Sequence, residues 1–236
     1  MTEVIAFQNL VKTYKKQRAV DNLSASVAQG RITGFLGPNG AGKSTSLRCL
    51  VGLANPTSGR ATIFGMPYRD LDNPLARVGT VLDSRGFHAS LTGAQNLQIM
   101  AAAAGIGKSR VREVLQLVEL EQAAEKRVKG YSLGMKQRLS LAGAILGDPE
   151  ILILDEPANG LDPAGIAWLR NFLRSMAGGG RTILVSSHQL AEMQNTVDDV
   201  LIINRGQLIA SGAMTDIIGD GTLEQAFLRL TLGEAA

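Results

Sequence analysis

A single cysteine and only two histidines in 236 residues remove several chemistries at the outset. A lone thiol, Cys49, closes no internal disulfide, so the fold carries no covalent staple and suits a reducing compartment. Two histidines and one cysteine leave no visible zinc-ligand set. Long hydrophobic runs are missing too: the longest uncharged, mostly apolar stretch, residues 99–107 (IMAAAAGIG), falls far short of the roughly 20 residues that cross a bilayer. The opening MTEVIAFQNL has neither the cationic start nor the long apolar centre of a secretion signal, so the expected location is the cytoplasm. Neither sign of charge dominates. A net charge of +3 argues for no nucleic-acid partner, although Lys12, Lys15, Lys16 and Arg18 gather near the start, as a solvated loop or as a phosphate-facing edge.

What is present, 45% apolar and 19% charged residues, suits one domain with an ample core spanning residues 1–236. Residues 37–45 read GPNGAGKST and fit the spacing Gly, four residues, Gly-Lys-Ser/Thr that cradles nucleotide phosphates. A polyphosphate needs many donors brought close with no side chains in the way, and Gly37, Gly40 and Gly42 supply that access. An apolar run before them (Ile32, Phe35, Leu36) predicts a buried strand, and residues 43–50 predict the helix that follows. The loop therefore opens a helix, whose free N–H groups and dipole favour an anion. Lys43 places a point charge on the terminal phosphates, and the Ser44 hydroxyl is a hard oxygen suited to Mg²⁺. The motif alone says nucleoside triphosphate without saying which.

Before that loop, residues 4–14 and 23–27 carry short β-type runs with polar breaks, which predict an antiparallel edge region. Tyr14 there either stacks on a base or is an ordinary exposed tyrosine. After the first helix come a turn at 55–59, a short strand at 61–64, a brief helix at 70–76 and a strand at 78–82. From Leu91 the pattern becomes helical. Thr92 caps a helix to about 104, and Ser109 caps a second through Leu120, with Val111, Val114, Leu115 and Val118 at helical spacing. With no strands between them, these segments predict a helical insertion over about 83–146. Its last helix opens at Ser132 and Gly134 and stops at Gly147 and Pro149; its start is either a second anion site or a plain cap.

Residues 151–154 (ILIL) run straight into Asp155-Glu156, as a strand buried on both faces does when it delivers carboxylates to its ligand-binding edge. Asp155 is placed to hold Mg²⁺ through a water and Glu156 to orient or deprotonate an attacking water. The alternative is that these acids cap a turn or pair with Arg138. Asp162-Pro163 starts a helix to about 176, with Asp162 as its simple N-cap. A further apolar strand at 182–185 ends in Ser186-Ser187-His188; His188 is either structural or a donor to a transferred phosphoryl group. A hairpin about Arg205-Gly206 follows, and an amphipathic helix through Leu223, Phe227 and Leu230 lies in a helical tail over about 213–236.

In sum these motifs resemble the ATP-binding cassette family of transporter ATPases, over about residues 4–212. Tyr14 matches the family's adenine-stacking aromatic. Gly37, Pro38, Asn39, Gly40, Ala41, Gly42, Lys43, Ser44 and Thr45 match its phosphate loop, and residues 131–135 (YSLGM) its signature. Residues 151–156 match its second nucleotide motif, residues 160–162 its dimer-contact loop, and His188 its switch histidine. The signature departs from the usual LSGGQ, with Leu133 and Met135 replacing a glycine and a glutamine, and Asp83 stands where a glutamine is usual. Both variations are similar to the bacterial branch that exports bacitracin, lantibiotics and related antibiotics. Asp83 retains an oxygen ligand near Mg²⁺.

The resemblance implies an α/β P-loop NTPase core with a mostly parallel sheet, an antiparallel β edge region and a helical insertion. It further implies ATP and Mg²⁺ as cofactors and catalysis through Glu156, His188 and Lys43. In a head-to-tail dimer, in all expectation a homodimer, Ser132 and Gly134 of one subunit close over ATP held by the other, with Asp162 at the contact. A separate transmembrane permease is the expected partner, which sets the chain on the inner face of the membrane. No nucleic acid is expected. A GTPase is disfavoured because no Asn-Lys-x-Asp segment is present, and a DNA-repair or ribosome-associated ATPase because residues 43–131 hold no long heptad run. A nucleotide-gated binding module without turnover is the non-enzymatic alternative.

Overall fold

The computed structural model describes residues 2–82 and 86–232, the side chain of residue 232 excepted. Two sheets divide the strands. β1 (Glu3–Tyr14) and β2 (Gln17–Ala28) form an antiparallel hairpin, and β4 (Ser58–Ile63) pairs with the far side of β1, giving a separate three-stranded sheet in the order β2-β1-β4. The polar breaks in the sequence do not end these strands. Asn9 and Asn22 adopt φ of +47° and +57°, the left-handed region that asparagine tolerates, and the register shifts between Phe7 and Leu10. Bulged there, each strand runs on for 12 residues.

The second sheet has the order β5-β6-β7-β3-β8-β9. Its members are β3 (Ile32–Leu36), β5 (Val78–Val81), β6 (Ile151–Asp155), β7 (Thr182–Ser187), β8 (Asp199–Asn204) and β9 (Gln207–Ala213). All pairings are parallel except the β8–β9 hairpin. Each central strand splits its side chains between two cores, as a period of two requires. Phe35, Ile151, Ile153, Leu184, Leu201 and Ile203 face the first core, with the antiparallel sheet and Leu47 and Leu50 of α1 (Lys43–Leu50). Leu36, Leu152, Leu154, Val185 and Ile202 face the second. So α1 is clasped between the two sheets, and the apolar continuity of the strands follows from burial on both faces.

The second core is closed by α3 (Gly93–Ala103), α4 (Lys108–Leu117) and α5 (Leu133–Ala144), which lie between β5 and β6 in the chain, and by α6 (Pro163–Gly178). Thr92 makes a full capping box with Gln95 at the start of α3. α4 differs from expectation at both ends. Gly107, not Ser109, is its N-cap, and it stops at Leu117 because Glu119 turns to φ +57°. The brief helix expected at 70–76 is instead a 3₁₀ turn (Tyr68–Asp70) and the one-turn α2 (Pro74–Arg77), because Asn73 at φ +48° breaks the run and Pro74 can only begin a helix. Beyond the expected elements stand the short α7 (Leu190–Gln194) and α8 (Met214–Ile218), before α9 (Leu223–Leu232). Among the described residues, no helix is long and apolar enough to cross a membrane.

Gly79 on β5 sets how closely α5 approaches the sheet: a Cβ there would lie 2.1 Å from the Ala144 carbonyl oxygen. Gly79→Ala is expected to cost about 2–3 kcal/mol in urea unfolding, since a backbone carbonyl cannot step aside. Gly178→Ala, with nothing within 4 Å of the added methyl, is the control and should be neutral or slightly stabilising.

Candidate active site

Strand order brings the site together. β6, β7 and β3 lie side by side, and being parallel they release Asp155-Glu156, Ser187-His188 and the 37–42 loop along one edge. The loop has little room. A Cβ on Gly37 would lie 2.5 Å from the Ile203 carbonyl oxygen, and Gly42, at φ +106°, would drive one 2.5 Å from the Ala19 carbonyl oxygen. The Arg205-Gly206 turn braces the loop from the side: the Gly206 N–H donates to Ala41 O and the Asp21 N–H to Gly206 O, both at 2.9 Å. Asp21 is itself held below the usual carboxylate range, chiefly by the Arg18 guanidinium and then by Gln207. α1 then starts with no side-chain cap and no acid in its first turn, so its leading N–H groups suit an incoming anion. Pro38, Asn39 and Gly40 are exposed, while Ser44 and Thr45 are half-buried at the helix start.

The Lys43 ammonium is buried. It donates to Gly37 O at 2.6 Å and Pro38 O at 3.4 Å, and lies 3.4 Å from Glu156 Oε1. The other Glu156 oxygen, Oε2, is 2.8 Å from His188 Nδ1, so one carboxylate links the lysine of the loop to the histidine at the end of β7. Glu156 reaches both from a left-handed backbone, φ +51°. Asp155 is fixed beside it, accepting at Oδ1 from the Ser186 hydroxyl at 2.5 Å. Neither acid pairs with Arg138: that guanidinium bonds Glu119 and lies 4.0 Å above the Trp168 ring. Lys43, Asp155, Glu156 and His188, drawn from three strand ends, therefore form one bonded cluster, Asp155 through the Ser186 hydroxyl; the roles of Ser186 there and of Gly206 beside the loop went unremarked in the sequence. The signal for Ser186 was a hydroxyl directly following the apolar residues Ile183, Leu184 and Val185; for Gly206 it was only a turn glycine.

A second group forms at the start of α5. Tyr131 is buried, its hydroxyl donating to Ala123 O at 2.6 Å, and burial foremost pushes its phenol pKa up. Ser132 accepts from the Met135 N–H, so its capping role is realised; Asp162 likewise caps α6, accepting from the Gly165 N–H at 2.8 Å. Leu133 reaches across to Gly160, where an added Cβ would meet its Cδ2 at 2.3 Å, and Gly134 faces Leu161. Ser132 and Asp162 are exposed, Gly134 half-exposed. Tyr14 ends β1 at the surface, 46% exposed, with Lys12 Nζ 4.8 Å from its ring centroid. Asp83 lies outside the described residues. Among those described, no group of three or more His, Cys, Asp or Glu side chains forms a self-contained metal site.

The ABC transporter family model matches residues 20–159. Over 212 residues the chain is 47% identical to the bacitracin transport ATP-binding protein BcrA of Bacillus licheniformis, covering 89% of this chain and 69% of that protein. It is 35% identical over 224 residues to the lantibiotic transport ATP-binding protein SrtF of Streptococcus pyogenes, covering 95% of this chain and 96% of that one. A solved ATP binding subunit of an ABC transporter superimposes with a TM-score of 0.85 at 26% identity, over 96% of this chain and 99% of the other.

The crowding at the loop makes a direct test. Gly42→Ala combines a disallowed φ with a backbone clash, and is expected to weaken binding of a fluorescent ATP analogue at least about tenfold, or roughly 1.4 kcal/mol.

Proposed function

This chain belongs to the ABC transporter family, and from that premise we propose that it is the ATP-binding, ATP-hydrolysing subunit of an exporter whose membrane-spanning part is a separate chain. The observation that carries the reading is the buried Lys43 ammonium shared between its own loop and Glu156, with His188 on the carboxylate's other oxygen. Phosphates entering at the start of α1 meet its free N–H groups and draw Lys43 onto their oxygens. That exchange releases Glu156 Oε1 to orient and deprotonate the attacking water. His188, steered by Oε2, presents its other ring nitrogen to the transferred phosphoryl group. Tyr14, exposed at the end of β1, offers a ring face to the adenine.

Ser44 and Asp155 fit Mg²⁺, a hard cation that takes one or two protein oxygens and completes its shell with phosphate and water. Bound there, it would neutralise charge on the phosphate oxygens.

Ser132 and Gly134 open α5 and Asp162 caps α6, and contacts of Leu133 with Gly160 and of Gly134 with Leu161 bring these two segments together at the surface. We assign them to the nucleotide of a second copy: two chains arranged head to tail each complete the other's site, and hydrolysis lets them part, coupling chemistry to a motion the membrane partner can use. The cargo class is that of antibiotics, peptides or drug-like compounds, by analogy with the transport named for BcrA and SrtF. The subunit sits on the inner face of the membrane through its partner, with no nucleic acid involved.

Glu156→Gln tests the whole. Turnover of Mg-ATP should fall by about 10² or more, while light scattering should show a monomer that doubles its mass only with Mg-ATP. Near-normal turnover would assign the base to another group; a monomer with ATP bound would remove the shared-site arrangement.

A further inference from the structure

We infer that Ser186 is a positioning residue that sets Asp155 and Glu156 as a single unit, an inference that rests on the hydrolytic reading above. Ser186 is fully buried on β7, directly opposite Asp155 in the parallel register of β6 and β7. The strand positions before it, Ile183, Leu184 and Val185, are apolar and equally buried. Its hydroxyl is spent at both ends: the proton goes to Asp155 Oδ1 at 2.5 Å, and the oxygen accepts from the Glu156 N–H at 3.0 Å. An ionised carboxylate can only accept and an amide N–H can only donate, so the hydroxyl has one available orientation.

Each bond governs a different catalytic requirement. The first fixes the rotation of the Asp155 carboxylate, the proposed Mg²⁺ oxygen. The second holds the Glu156 N–H at the residue where the chain turns to φ +51°, the turn that aims the Glu156 side chain at Lys43 and His188. The same N–H reaches the Ser186 carbonyl at 3.2 Å, a longer contact that remains if the hydroxyl is lost but leaves Asp155 unheld. A residue without the hydroxyl thus frees Asp155 and leaves the Glu156 N–H with only the longer carbonyl contact. Displacing a reacting group by about 1 Å costs on the order of 10²-fold in rate.

The test compares Ser186→Ala, Ser186→Cys and Ser186→Thr in the full chain. Cysteine nearly keeps the shape of serine with far weaker hydrogen bonding, and threonine keeps the hydroxyl while adding volume. Steady-state Mg-ATP hydrolysis should show kcat lowered at least about tenfold in the Ala and Cys variants, with KM for ATP within about threefold of the unaltered chain. The Thr variant should keep at least about a third of kcat. A hydroxyl needed only for strand packing would instead make activity follow volume, with Thr lowest. That order, or Ala and Cys both within about twofold of the unaltered chain, would overturn the inference. If Ser186→Ala does not fold, the Cys and Thr pair decides it. Hydrolysis by the unaltered chain, read in the same assay, separates the two levels: its absence removes the hydrolytic reading and this inference with it, whereas its presence with a volume-ordered series removes this inference alone.

Discussion

Lys43 carries a full charge into the interior, 6% exposed, and the elements around it are arranged to meet that charge. An ammonium withdrawn from water costs several kcal/mol unless acceptors replace the lost hydration. Two of its acceptors are carbonyls of its own loop and the third is Glu156. The last comes from β6, which is not a neighbour of β3: β7 lies between them. The lysine therefore bridges over the end of a third strand, where His188 completes the line by taking the carboxylate's other oxygen. On the function proposed above, a phosphate arriving at the loop would compete for the same ammonium, so that binding of substrate and release of the Glu156 carboxylate would be one event.

That arrangement explains which parts of the fold were legible in advance. A strand buried on both faces must be apolar throughout, so ILIL before Asp155 and the run ending at Val185 announced both themselves and the edge they feed. The start of α3 was equally plain from its Thr92 cap, though the reciprocal bond from Gln95 was not. The antiparallel sheet was harder, because Asn9 and Asn22 look like strand breaks and act as bulges; their left-handed backbone is a choice made by cross-strand pairing, not by propensity. Pro74 and Asn73 misled in the opposite direction, dividing a segment whose composition suggested one helix.

The site divides in the same way. Groups contiguous in the chain, from Gly37 to Thr45 and at Asp155-Glu156, carry their chemistry in their spacing. Groups that act through space do not. Ser186 is distinguished only by facing Asp155 in a register fixed by the sheet, and Gly206 only by the carbonyl of Ala41 and the amide of Asp21 on its two sides. Arg138 is the converse: proximity in sequence logic offered it to the acids, and a nearer glutamate and an aromatic ring took it.

Leu133 joins the two kinds. Its replacement of a signature glycine was visible as a departure, but its partner was not. Gly160, at φ +73°, lies where an added Cβ would meet the Leu133 Cδ2 at 2.3 Å, so any side chain at 160 would require that methyl to shift. The start of α5 and the loop before α6 are thereby in contact within one chain. Leu133 is still 49% exposed, beside Ser132 and Gly134. In the head-to-tail pair proposed above, covering that remaining half would contribute roughly 1 kcal/mol of apolar burial at each of two equivalent contacts. A glycine there could offer only backbone. On that proposal, closure of the pair would draw more on apolar burial than a signature with glycine at that position allows.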